Sequence, residues 1–161
     1  MNKMRLISRE LLFGVLAAVC WLAVSGCEYE VPITANPTRK VDARLIGDWT
    51  AKKDEKEKMK VRKLDDSTYI VSYDDNLCRA YHSDVGKAPL VSVQNIDSVQ
   101  RKYFYFTWNL SPDGKQLTLR LVNDKVIPDD VKDSASVQKL LEKNLQNPNL
   151  FKEEALFTKE K

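Results

Sequence analysis

The stretch from Lys102 to Val122, KYFYFTWNLSPDGKQLTLRLV, constrains the fold more than any other part of the chain. Leu117, Leu119 and Leu121 alternate with Thr118 and Arg120, and side chains two apart in a strand lie on one face. Before them, Ser111-Pro112-Asp113-Gly114 places proline second and glycine fourth, which suits a type I turn. The two arms therefore predict a hairpin. In the first arm Phe104, Phe106 and Trp108 alternate with Tyr103, Tyr105 and Thr107, so large rings stand on both faces. Such a strand needs cover on both sides.

Period two recurs along the chain. Leu45–Thr50 predicts a first strand, Met59–Arg62 a second and Ser67–Tyr73 a third, after the Asp65-Asp66 turn. Leu77–His82 and Pro89–Ile96 follow, and Leu156–Thr158 returns as a last strand. One segment breaks the alternation. Val137, Leu140, Leu141 and Leu145 share one side at helical spacing, with Lys139, Glu142 and Lys143 turned outward. Asp133 or Ser134 caps its start and Pro148 lies beyond its end. The expected fold is mainly β: six to eight short antiparallel strands and one C-terminal amphipathic helix. The strands form a small barrel, which removes exposed edges, or a strongly curved open sheet packed on the helix.

The N-terminus obeys other rules. Met1 to Glu10 carries Lys3, Arg5 and Arg9, and Leu11 to Gly26 carries no charge. That apolar run is shorter than the ~20 residues a spanning helix requires. A basic head, a short apolar middle and small residues at the end describe a secretory signal. Val24-Ser25-Gly26-Cys27 resembles the lipobox of bacterial lipoproteins. The resemblance implies removal of residues 1–26 and acyl chains on Cys27, hence attachment to a membrane through lipid. Glu28, where an aspartate commonly retains such proteins in the inner membrane, implies the outer membrane, with the domain facing the periplasm. A competing reading leaves Cys27 unacylated and paired with Cys78; under acylation Cys78 is a lone, small, apolar strand residue. Residues 28–42, with Pro32 and Pro37 and little apolar periodicity, read as an extended tether. Such a tether would hold a domain spanning 43–161 as much as ~50 Å from the bilayer.

Processing also removes the chain's apparent basicity. The remainder carries 23 basic against 22 acidic side chains, and nothing in that balance suggests a nucleic-acid partner.

Gly47-Asp48-Trp49 on the first predicted strand resembles the Gly-x-Trp signature of the lipocalin and calycin superfamily, as does the order of sheet, helix and final strand. In that superfamily the tryptophan closes one barrel end against a basic side chain from a late strand. The resemblance implies that role for Trp49, with Arg120 or Lys159 as its partner, and a cup for a small apolar ligand. Tyr69, Tyr73, Tyr103, Tyr105 and Trp108 are the residues expected to line it, since barrel mouths are common ligand sites. The loop motifs of the barrel-shaped lysozyme inhibitors of bacterial envelopes are absent from the sequence.

Little points to catalysis. His82 is the only histidine and no cysteines are grouped, so no zinc set is expected. Asp84 lies two residues on, but no nucleophile-elbow motif accompanies it. Five glycines in the whole chain offer no phosphate-cradling loop. The mixed charge run Lys52–Lys63 reads as a solvated hairpin arm, or else as a contact for anionic headgroups. The sequence thus describes a non-enzymatic, lipid-anchored binding domain without cofactor or metal. Its partner is a small apolar ligand or, in the second reading, an envelope protein that it inhibits or helps to assemble.

Overall fold

The computed structural model describes residues 28–161. The expected signal segment and Cys27 lie outside the described residues. Eight strands run in chain order: β1 Gly47–Ala51, β2 Lys58–Lys63, β3 Tyr69–Tyr73, β4 Asn76–His82, β5 Leu90–Asn95, β6 Tyr103–Leu110, β7 Gln116–Val122 and β8 Phe151–Lys159. Each pairs antiparallel with the next, and β1 pairs with β8 through Trp49–Lys159, Thr50–Thr158 and Ala51–Phe157. The sheet is a closed barrel, not the open alternative, so no strand keeps a free edge along its length.

The strands fall close to where the alternation places them, with one difference. β8 begins five residues earlier than expected, at Phe151, because Lys152 and Glu154 on this stretch mask its alternation. The hairpin between β6 and β7 turns as its composition demands. The Gly114 amide donates to the Ser111 carbonyl at 2.9 Å, and Gly114 takes a left-handed φ of 70° that glycine alone adopts freely.

Two buried clusters divide the apolar residues. The barrel interior holds Trp49, Met59, Val61, Tyr69, Val71, Ala80, Val91, Trp108, Leu117 and Phe157. A second cluster lies outside the wall, where Leu90, Tyr103 and Tyr105 meet Tyr29, Ile33, Ile127, Val137, Leu141 and Leu150. This is the second cover that β6 requires. Part of it is the helix α1, Ser134–Asn144, capped by the Asp133 carboxylate on the Ser136 amide at 2.8 Å and burying Val137 and Leu141.

The other part corrects an expectation: residues 28–42 are not a free tether. They form a strap across the outside of β6, β5 and β4. Tyr29 exchanges two backbone hydrogen bonds of 2.8 Å with Tyr103 and stacks on Tyr105 at 3.8 Å. The Tyr105 hydroxyl donates to the Val31 carbonyl at 2.6 Å, and that of Tyr81 to the Thr34 carbonyl at 2.9 Å. The Ile33 amide donates to Ser92 Oγ at 3.0 Å. Tyr29 and Ile33 are wholly buried, and burial of one such side chain contributes about 1.5–3 kcal/mol. Each such contribution offsets the order lost by about one or two backbone residues, and the hydrogen bonds to the wall add to it.

Candidate functional site

Strand directions give the barrel two ends. At one, β1 begins and β8 finishes; the β2–β3, β4–β5 and β6–β7 turns lie there. At the other lie the β1–β2, β3–β4 and β5–β6 turns and the long connection from β7 through α1 to β8.

The first end is closed. After the strap, Ala43–Leu45 makes one turn of 3-10 helix, started by the Asp42 carboxylate on the Arg44 amide at 2.9 Å. Leu45 packs into the interior cluster beneath it. The Trp49 ring is wholly buried and its indole N–H donates to the Leu45 carbonyl at 3.0 Å. Lys159 Nζ sits 5.3 Å from the centre of the Trp49 ring and donates to the Arg44 carbonyl at 2.6 Å. Lys159 therefore takes the place beside Trp49; Arg120 instead pairs with Glu154 at 3.3 Å and lies over Phe151. Gly47 makes the crossing feasible. A Cβ there would come within 2.6 Å of Lys159 Cε, and its φ is 150°.

A polar group is buried behind Trp49. The Tyr69 hydroxyl accepts from the Asp42 amide at 2.6 Å and lies 3.0 Å from His82 Nε2. Which of the two supplies the shared proton depends on the imidazole tautomer. His82 Nδ1 is buried and has no hydrogen-bond partner. Burial, then the positive charge of Arg39, holds the His82 pKa below its ordinary value. Asp84 does not turn to His82. It pairs with Arg39 and accepts from the Thr38 hydroxyl at 3.1 Å. These neighbours do not assemble a nucleophile, base and orienting acid in sequence, so the arrangement is structural. Among the described residues no group of three or more acidic, histidine or cysteine side chains could hold a metal.

The second end is a mouth. Inward-facing Tyr73, Cys78 and Val93 pack on the interior cluster here yet stay only half-buried; half-buried Phe106 and Leu119 lie midway along the barrel, opposite Val91 and Trp108, and Leu121, nearer this end, is buried. Alternation places Phe104 on the same side of β6, opposite Val93, and it too is half-buried. Deeper in, Trp49, Val61, Tyr69, Val91 and Leu117 expose nothing. A cavity able to take a water-sized probe would give its lining side chains accessible surface. These five have none, so the barrel is filled from the closed end through its middle.

The rim contributes a few polar groups. The Tyr73 hydroxyl donates to Glu57 at 2.8 Å, and its ring meets Phe157 edge-on at 6.0 Å. A concavity of about 290 Å³, lined by Ala51, Lys52, Glu57, Ala155 and Leu156 among others, opens at the β1–β8 seam. Cys78 stands as a free thiol, its pKa pushed up to about 11 first by burial and then by Asp97.

The five expected lining residues are thus not brought together. Tyr73 is at the mouth; Tyr69 and Trp108 are packed 5.3 Å apart at the closed end; Tyr103 and Tyr105 face outward under the strap. The parity of β6 is the reason, since Trp108 is an odd number of residues from both tyrosines. Val93 and Phe104 take their place at the mouth, and the alternation within β5 and β6 is the signal that marks them.

Charges of the Lys52–Lys63 run spread along the outside of the β1–β2 hairpin. Arg62 pairs with Asp48 at 2.6 Å, Lys63 with Asp66 at 2.6 Å, and Lys58 with Glu160. No helix among the described residues is long and apolar enough to cross a membrane. Comparison with protein families, with curated proteins and with solved structures finds no match to this chain.

Proposed function

We propose that this chain is a non-enzymatic envelope lipoprotein, held in the outer membrane by acyl chains on Cys27. In this reading its barrel takes the apolar end of a small ligand at the mouth. The signal-like N-terminus and the Val24-Ser25-Gly26-Cys27 box support the anchor. The Gly47, Trp49 and Lys159 arrangement is what the calycin resemblance implies for a closed barrel end. The observation that carries the ligand reading is the contrast between Trp49, Tyr69 and Leu117, packed at one end, and half-buried Tyr73, Val93 and Phe104 at the other. A shallow apolar recess with few polar groups suits a chain end or a small ring. It does not suit a ligand enclosed on every side.

The filled interior favours a second reading, in which the domain inhibits or helps to assemble an envelope protein through its surface. One experiment separates the two. A fluorescent fatty acid is expected to bind the wild type, to bind Thr118→Glu on the outer face equally, and to lose at least tenfold in affinity for Phe104→Glu. Equal binding to all three, or none to the wild type, would remove the ligand reading. The anchor has its own test: Cys27→Ala is expected to leave the membrane fraction, and the mass of the native N-terminal peptide to carry acyl chains.

A further inference from the structure

The strap fixes where the chain leaves the barrel. Tyr29 is hydrogen-bonded through both backbone groups to Tyr103, the first residue of β6. β6 begins at the mouth. At Tyr103 its neighbour on the other side is not yet β7, whose pairing starts at Phe106–Leu121, and Tyr29 occupies that short gap. From there residues 31–42 run toward the closed end, where Thr38 bonds the His82 carbonyl at 2.9 Å and Val41 that of Asp66 at 2.8 Å. The described chain therefore begins, at Glu28, beside the mouth, at the opposite end from the turn that carries Leu45. Cys27 is two residues from Tyr29 in sequence, a span of at most about 7 Å.

We infer that the mouth faces the bilayer holding Cys27, with the closed end and the C-terminus pointing away. The inference rests on the lipid-anchor reading and deepens it. A 15-residue free leash would let the barrel tumble, whereas a leash of about 7 Å ending at the rim does not. Half-buried Tyr73, Val93 and Phe104 then look onto the headgroups. A ligand for this mouth arrives from the membrane as an amphiphile whose apolar end has left the bilayer.

Charge does not set this orientation. The mouth loops, residues 52–57, 74–75, 96–102 and 123–133, carry ten acidic against seven basic side chains, so an anionic surface does not attract them. The tether geometry alone orients the domain, and the orientation is expected to persist in high salt, where charge attraction would be screened.

The test uses the acylated full-length protein purified from membranes and reconstituted in phosphatidylethanolamine–phosphatidylglycerol vesicles. One fluorophore is attached at the mouth through Asp75→Cys, or at the closed end through Asp113→Cys, each in a Cys78→Ala background. An eight-residue strand such as β6 spans about 26 Å, and strand tilt brings the separation of the ends to about 20 Å. Quenching by a headgroup spin label is expected to be several-fold stronger at residue 75 than at residue 113, in low and high salt alike. Equal or reversed quenching in protein that floats with the vesicles would overturn the orientation and leave the anchor standing. Protein that carries no acyl mass and does not float would overturn both. Lengthening the leash by ten Gly/Ser residues between Glu28 and Tyr29 is expected to bring the two labels toward equality, and an unchanged ratio would contradict the role given to the strap.

Discussion

The two ends of the barrel are built from the same kinds of residue and do opposite things with them. At the closed end Trp49, Tyr69 and Trp108 are spent on packing, and the Trp49 indole N–H and the Tyr69 hydroxyl both meet partners. At the mouth Tyr73 and Phe104 line the interior as half-buried rings. The difference comes from what lies above each set. A 3-10 turn, the last residues of the strap and Lys159 seal one end; loops that pass beside the opening surround the other. Aromatic content alone does not mark a binding site. Which rings have a lid does.

Substitutions at equivalent depths sharpen the contrast. Trp49→Ala removes a wholly buried ring, its hydrogen bond to Leu45 and the seat of Lys159, and is expected to cost about 3–5 kcal/mol. Phe104→Ala at the mouth is expected to cost about half as much, because water already reaches that ring. Urea unfolding of the two variants checks this, and equal losses would mean the mouth is as closed as the far end. Gly47→Ala comes next, at about 1–2 kcal/mol, since the new Cβ meets Lys159 Cε. Gly47→Ala combined with Lys159→Ala is expected to recover part of that loss.

A smaller effect depends on pH. His82 is held neutral in the fold, with its pKa below the ordinary 6.5. As pH falls through about 6.5 the unfolded chain takes up a proton that the folded chain refuses, so stability declines on that side. Above it the contribution is complete. The wild type is expected to lose stability between neutral pH and the onset of carboxylate titration, and His82→Gln to show a flatter profile there. A parallel profile in both would contradict the burial of the ring. The smallest effect touches reactivity only. With a pKa near 11, Cys78 is expected to react with a thiol reagent at pH 8 roughly 10- to 100-fold more slowly than an exposed cysteine. A fatty acid in the mouth should slow it further.

Much of this fold is legible in the sequence because half-buried antiparallel strands announce themselves by alternation. Leu117, Leu119 and Leu121 on β7 need no other information, and the Ser111–Gly114 turn fixes the register of that hairpin. The first half of β8 was hidden because Lys152 and Glu154 replace the apolar half of the pattern. The strap was hidden for a different reason. Tyr29, Val31 and Ile33 do alternate, but Pro32 and Pro37 argue for free chain, and the surface that covers these residues belongs to strands 50 to 75 residues away. Cover for the outer tyrosines of β6 could be inferred; its source could not. At the site, Tyr103, Tyr105 and Trp108 could not share a face of one strand, and that much was written in their spacing. Which end had a lid was not, because it depends on where Leu45 and Lys159 meet across the closed barrel.

The central claim is that the barrel is solid from Trp49 upward to the level of Val71 and receptive only at its mouth. The most direct measurement is a residue-resolved NMR titration with a medium-chain fatty acid. The expected shifts are confined to Tyr73, Cys78, Val93 and Phe104, with Trp49, Val61 and Leu117 unmoved. Shifts centred on Trp49 and Leu117, or none at any of the mouth residues, would contradict it.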